Sequence, residues 1–177
     1  CNFGCAVKRM TGANLFIDAS LIGVGGTVAL DLWALLMARM LNMPAINWAM
    51  VGRWIGNMPR GQFIQQNMMT ARPVRGEAAI GWSAHYAIGI GYGWLLLALR
   101  GPSWFAQPTL FPPLILSWAL LVAPYFIMMP GMGSGTAGSK TSSPNLTRLK
   151  SVIGHSVFGL GMYATGLVLA GSGMADG

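Results

Sequence analysis

Acidic residues are the first thing this sequence lacks. Four Asp and Glu stand against eleven Lys and Arg, and all charged residues together make up 8% of the 177 positions. An average globular protein carries about 25%. A fold that lives in water needs a charged surface, and this chain has too few charges to build one. Its wealth lies elsewhere: 54% of the residues are hydrophobic, with seven Trp and thirteen Met. The implied solvent is lipid.

Histidine and cysteine are almost as scarce. Two His with no HExxH-type spacing argue against a zinc hydrolase, and no metal site is expected. No Ser stands in a strand–turn–helix elbow, so a nucleophilic enzyme is a poor fit and no catalytic residues are named. The two cysteines, Cys1 and Cys5, sit at the N-terminal edge and are too few for a disulfide framework. The simplest reading is a tail. Because Cys1 is not preceded by Met, two others stand beside it: a processed, lipid-bearing N-terminus, or a true start at Met10. A net charge of +7 does not point to nucleic acid, because the basic residues lie between long apolar runs rather than on one face.

What is present in quantity is apolar sequence in runs. A helix needs about 20 apolar residues to cross a bilayer. Four runs qualify, at 15–41, 79–99, 108–129 and 151–170, with a tail at 1–14 and another at 171–177. The runs are continuous and do not alternate, which favours helices over barrel strands. The expected fold is all-α, an integral membrane bundle of four transmembrane helices. Small residues give the helices places to approach closely: Gly23 and Thr27, Gly89 and Gly93, Gly161 and Thr165. Such faces serve a compact bundle or contacts with another subunit. Pro124 is expected to kink the third span.

The loops set direction. Arg39, Arg53, Arg60, Arg72 and Arg75 end or follow the first span, and Lys140, Arg148 and Lys150 follow the third. These are eight of the eleven basic residues, and both loops fall on one side. The positive-inside rule puts them in the cytoplasm and both termini outside, in the periplasm of a bacterial inner membrane. Within the first loop, Ile46, Ala49, Met50 and Trp54 recur at helical spacing. A short interfacial helix is expected over residues 44–57, lying at the membrane surface. Arg53, Trp54 and Arg60 read as a lipid-headgroup or partner contact, or as an ordinary basic loop with an aromatic anchor.

After the third span comes "PGMGSGTAGSKTSSP", which nearly spells a phosphate-binding loop. Gly133 and Gly138 have the required separation, but Ser139 pushes Lys140 one residue away. A phosphate loop needs a strand before it and a helix opening at its Lys-Thr. A membrane span precedes this one, and "SSP" follows, which does not read as a helix start. Nucleotide binding is not expected. The better reading is a flexible glycine-rich turn at the cytoplasmic surface, with Lys140 facing lipid phosphates.

Five stretches carry a resemblance: "GVGGTVALDLWALL", "VGRWIGNMPRGQF", "GEAAIGWSAHYAIGI", "MMPGMGSGTAGSKT" and "HSVFGLGMY". Together they resemble the bacterial inner-membrane proteins grouped as domain-of-unknown-function family 2938, over about residues 17–170. The resemblance implies a small polytopic membrane protein and supplies no activity.

Ionisable groups inside a span cost roughly 2.5–3.5 kcal/mol each by insertion scales, so each calls for a partner or a cavity. Asp31 lies in the first span, His85 about one turn into the second and His155 about one turn into the fourth, while Glu77 stands just before the second. Three uses compete. Asp31 pairs with an Arg or a His and ties the bundle together; Asp31, His85, His155 and Glu77 form a polar site for a proton, an ion or a small molecule; or His85 and His155, at equal depth, ligate a haem iron or (bacterio)chlorophyll magnesium. The leading functional expectation is a non-enzymatic accessory or structural subunit packing against other membrane proteins. A small transporter using Asp31, His85 and His155 is the alternative, and a pigment- or haem-binding protein a further one.

Overall fold

A computed structural model describes residues 12–43 and 46–175. The readings placed on Cys1, Cys5 and Met10, and the expected helix start at Pro44, lie outside the described residues. Among those residues there is helix and no strand. The elements are α1 (Gly12–Leu41), α2 (Trp48–Asn57), α3 (Glu77–Arg100), the short α4 (Pro102–Ala106), α5 (Phe111–Ala119) and α6 (Pro144–Ala175).

Three helical segments are long and apolar enough to cross a membrane: Asn14–Leu41, Phe111–Gly131 and Pro144–Ser172. The expected second span is α3, and its 24 residues would reach about 36 Å at 1.5 Å per residue. It is not among the three. Four glycines, His85, Tyr86, Tyr92 and two tryptophans interrupt its aliphatic run and lower its mean hydropathy.

The chain divides into two compact units. The first holds residues up to Trp33, Tyr86–Ser117 and those from His155 onward. Here α1 is antiparallel to α3 and to α6, and glycines set both contacts. A Cβ on Gly23 would overlap the carbonyl oxygen of Gly89, and one on Gly93 would overlap that of Ala19. Further along the same contact, Trp94 Nε1 donates to Ser20 Oγ at 2.9 Å and the Phe16 and Trp94 rings meet edge to face. On its other side α1 sets Gly25 against Thr165 and Gly26 against Phe158 and Met162, while Gly161 faces Ala29. The small residues read from the sequence are therefore used inside this unit, where they let backbones touch.

The second unit comprises Ala34–His85 and Trp118–Gly154. In it α2 crosses the start of α3 at two more glycines. A Cβ on Gly52 would overlap the Glu77 carbonyl oxygen, and one on Gly81 that of Trp48. Asn47 caps α2, its Oδ1 accepting from the Ala49 amide at 3.1 Å. The face that α2 buries is Val51, Gly52, Trp54 and Asn57. Ile46, expected on the apolar face with Trp54, is exposed instead, because it precedes the cap and lies outside the helical repeat.

Pro124 acts as expected of a proline inside a helix. It has no N–H for the Leu120 carbonyl, and its ring crowds that residue. The regular helix stops at Ala119, and the chain resumes as a π-helical turn over Pro124–Met128 that runs into Met129–Gly131.

The reading of "SSP" as a non-helical stretch is overturned. Helix α6 opens at Pro144 and runs 32 residues, to Ala175. Proline is well suited to the first helical position, where its missing N–H has no partner to lose and its φ is already helical. The expected span at 151–170 is thus preceded by a polar helical turn, and much of the expected C-terminal tail is helix.

Candidate functional site

A polar cluster lies in the second unit, around Arg53 of α2. Its guanidinium meets the Glu77 carboxylate with two prongs, Nε to Oε2 at 2.8 Å and Nη2 to Oε1 at 2.7 Å. The planar fork matches a carboxylate in this geometry and a lysine could not reproduce it. The side chains are only 15% and 22% exposed. Glu77 Oε2 also accepts the Val74 amide at 3.1 Å. The Arg53 hydrogen bonds, with the amide of Val74 second, hold the Glu77 carboxyl well below the usual range, at about 2. The same hydrogen bonds to Glu77 push the Arg53 pKa up.

Around this pair, side chains of α2 hold the loop that follows it. Arg53 Nη1 donates to the Met68 carbonyl at 3.3 Å, Trp54 Nε1 to the Phe63 carbonyl at 2.8 Å and Asn57 Nδ2 to the Arg72 carbonyl at 3.0 Å. Asn57 is fully buried, and buried amides are satisfied in this way. Trp54, Met68 and Ala71 form a small core with Met50, Met58, Met128 and Met132 against it. Methionine, unbranched and flexible, suits so irregular a space.

The glycines of "PGMGSGTAGSK" have a packing purpose here. The Trp54 indole lies where a Cβ on Gly131 would be, and Gly133, at φ +83°, faces the carbonyl oxygens of Gln65 and Gln66. The Gln65 amide donates to the Gly131 carbonyl at 2.8 Å. The turn is an ordered one. The amides of Gly138, Ser139, Lys140 and Thr141, which a phosphate cradle would need, donate to the carbonyls of Gly135, Thr136, Ser134 and Gly138.

Each residue singled out from the sequence now has a place. Arg53 and Trp54, read as lipid or partner contacts, face inward: one is paired to Glu77 and the other is buried against glycine. Arg60 is exposed, its Nη1 3.3 Å from the Asn57 Oδ1. The Lys140 side chain is exposed at the end of its turn. Glu77 opens α3, at the helix N-terminus where a negative charge is favoured. His85 is buried, its ring stacked on Trp48 with centroids 3.8 Å apart and planes 23° apart. Asp31 belongs to the first unit, where its Oδ2 accepts from Tyr86 Oη at 3.0 Å. His155 is half-buried on α6.

His155 and Asp31 fall in the first unit and His85 in the second, so neither unit by itself brings the two histidines together. Among the described residues no three His, Cys, Asp or Glu converge on a point that would hold a metal ion. Sequence reasoning missed Tyr86, Trp48 and Asn57. Asn57 had a signal, standing one helical turn beyond Arg53 on the same face. The Gly52–Gly81 crossing had none, because its two glycines lie on different helices.

These features define a protein that is all-helical among the described residues, with three segments suited to a membrane. A protein-family model matches residues 20–169. The chain belongs to that family, described as protein of unknown function (DUF2938). No curated protein and no solved structure matches it.

Proposed function

We propose that this chain is a four-span integral membrane protein of a bacterial inner membrane, acting as a non-enzymatic accessory or structural subunit that packs against other membrane proteins. In this reading α3 is the fourth crossing. Its length suffices, and its Trp and Tyr side chains suit the membrane–water boundary better than a hydropathy average suggests. Both loops rich in arginine and lysine then lie in the cytoplasm and both termini in the periplasm.

The observation that carries the reading is how the ionisable side chains are used. Arg53 and Glu77 bind each other, Asp31 accepts from a tyrosine, and His85 stacks under a tryptophan. Each such contact joins one element to another, which is structural work. The outward faces of the helices carry large apolar side chains such as Leu32, Trp94, Ile115 and Val168, which require lipid or another apolar helix.

Crosslinking in native membranes tests the role. Crosslinks to a small, reproducible set of other membrane proteins are the expected result. Contacts between copies of this chain alone would contradict it.

A further inference from the structure

The loop between α2 and α3 presents a surface that the subunit reading does not use. Five of its backbone groups are tied down, at Phe63, Gln65, Met68, Arg72 and Val74. Fixed in this way, the loop still turns large apolar side chains outward: Phe63 is 60% exposed, Ile64 75% and Met69 74%. A loop in water would bury them or replace them. The same loop carries Arg60, Arg72 and Arg75, all exposed.

The charge there has one sign. Residues 42–76 contain four arginines and no acid. Glu77, the next acidic residue, is taken by Arg53 in an ion pair. Three cations with no carboxylate bridged to them therefore share one loop with three outward apolar groups. Ile64 and Arg72 share an open groove of about 430 Å³, lined also by Gln62, Gln65, Asn67 and Thr70. The Thr70 hydroxyl donates to the Asn67 carbonyl at 3.2 Å, and the side-chain amides of Gln62, Gln65 and Asn67 with one guanidinium suit the oxygens of a phosphodiester.

We propose that this loop is a binding site for an anionic phospholipid of the surrounding bilayer. The phosphate sits in the groove against Arg72, Arg60 and Arg75 add charge at its rim, and Phe63, Ile64 and Met69 enter the acyl boundary. An acidic protein surface would match the arginines but leave the three apolar side chains in water. A neutral lipid would match the apolar groups but not the charge. Only an anionic bilayer surface satisfies both. The inference rests on the membrane reading of the chain, but not on its role as a subunit.

The test is native mass spectrometry of the whole chain in detergent, titrated with phosphatidylglycerol and separately with phosphatidylcholine. Wild type is expected to retain phosphatidylglycerol preferentially. Arg72→Gln is expected to weaken that retention about fivefold, from roughly 1 kcal/mol per basic residue near an anionic surface, and Arg72→Lys to keep most of it. The fold of these variants is safeguarded, since Asn57 binds the Arg72 carbonyl and not its side chain. Phe63→Ser with Ile64→Ser is expected to weaken both lipids. Equal retention of the two lipids, or Arg72→Gln binding like wild type, would overturn the site. Loss of a co-purifying acidic protein in Arg72→Gln, with lipid retention intact, would overturn it in favour of a protein contact. Release of the wild-type chain from membranes by alkaline carbonate without detergent would remove the membrane reading itself.

Discussion

Arg53 and Glu77 meet through two parallel hydrogen bonds of 2.8 and 2.7 Å, and this pair joins α2 to the first turn of α3 across 24 residues of sequence. The loop between them is held by the same arginine, through the Met68 carbonyl. Loss of either partner should therefore loosen the loop as well as the helix crossing. Glu77→Gln is expected to speed tryptic cleavage at Arg60 and Arg75, each followed by glycine, and to raise amide exchange over residues 58–76. Arg53→Lys should behave similarly, because one ammonium cannot replace the fork. Unchanged exchange in both variants would show that the pair does not hold the loop.

The pair also sets a pH dependence. Glu77 has its carboxyl pulled down from the ordinary value of 4.5 to about 2, so its contribution is fully present above the unfolded value. It is lost as pH falls through the folded one. The order of the loop, followed by proteolysis or exchange, is expected to hold down to about pH 4.5 and to fail progressively between there and pH 2. In Glu77→Gln this part of the acid dependence should vanish.

Two neighbouring glycines of α3 make a contrast within one helix. A Cβ on Gly89 would overlap the Thr27 hydroxyl, whereas one on Gly91 meets nothing within 4 Å. Gly89→Ala is expected to cost about 1–3 kcal/mol through overpacking. Gly91→Ala should be neutral or gain about 0.5–1 kcal/mol from the stiffer backbone. Thermal unfolding in detergent reads both, and equal melting temperatures would mean that α1 and α3 do not touch at Gly23 and Gly89.

Asp31 gives the sharpest division between the structural and transport readings. Its Oδ2 accepts a hydrogen bond from Tyr86, a task that an asparagine oxygen also performs. Asp31→Asn is expected to fold and insert normally. Tyr86→Phe should cost roughly 0.6 kcal/mol, the mean for such bonds between helices in a membrane. A transport phenotype abolished by Asp31→Asn in a normally folded protein would favour the permease alternative.

Much of the helical fold was legible because continuous apolar runs are a strong signal. The apolar run at 15–41 falls within the helix Gly12–Leu41, and the break at Pro124 follows from proline's missing donor. The run at 79–99 was read as a span on the same footing as the others, and it forms the helix α3, which is not among the three segments apolar enough to cross a membrane. The start of α6 was missed because Ser-Ser-Pro was read as a stop, when proline at a first helical position is a start. The cluster in the second unit was hardest. Arg53 and Trp54 look like surface anchors in a basic loop, and only the fold shows that they reach Glu77 and Gly131. The glycine-rich turn was read as a turn and not as a phosphate loop, but what its glycines pack against was not legible: Gly131 meets the Trp54 indole and Gly133 two backbone carbonyls.

The central claim is that this is a membrane subunit whose polar residues hold its own structure. The most direct measurement is the composition and absorption spectrum of the particle extracted gently from its native membrane. The account predicts a colourless complex with other membrane proteins in fixed stoichiometry, unchanged in composition by Asp31→Asn. A particle made of this chain alone, or one with a Soret or pigment band lost in His85→Ala or His155→Ala, would contradict it.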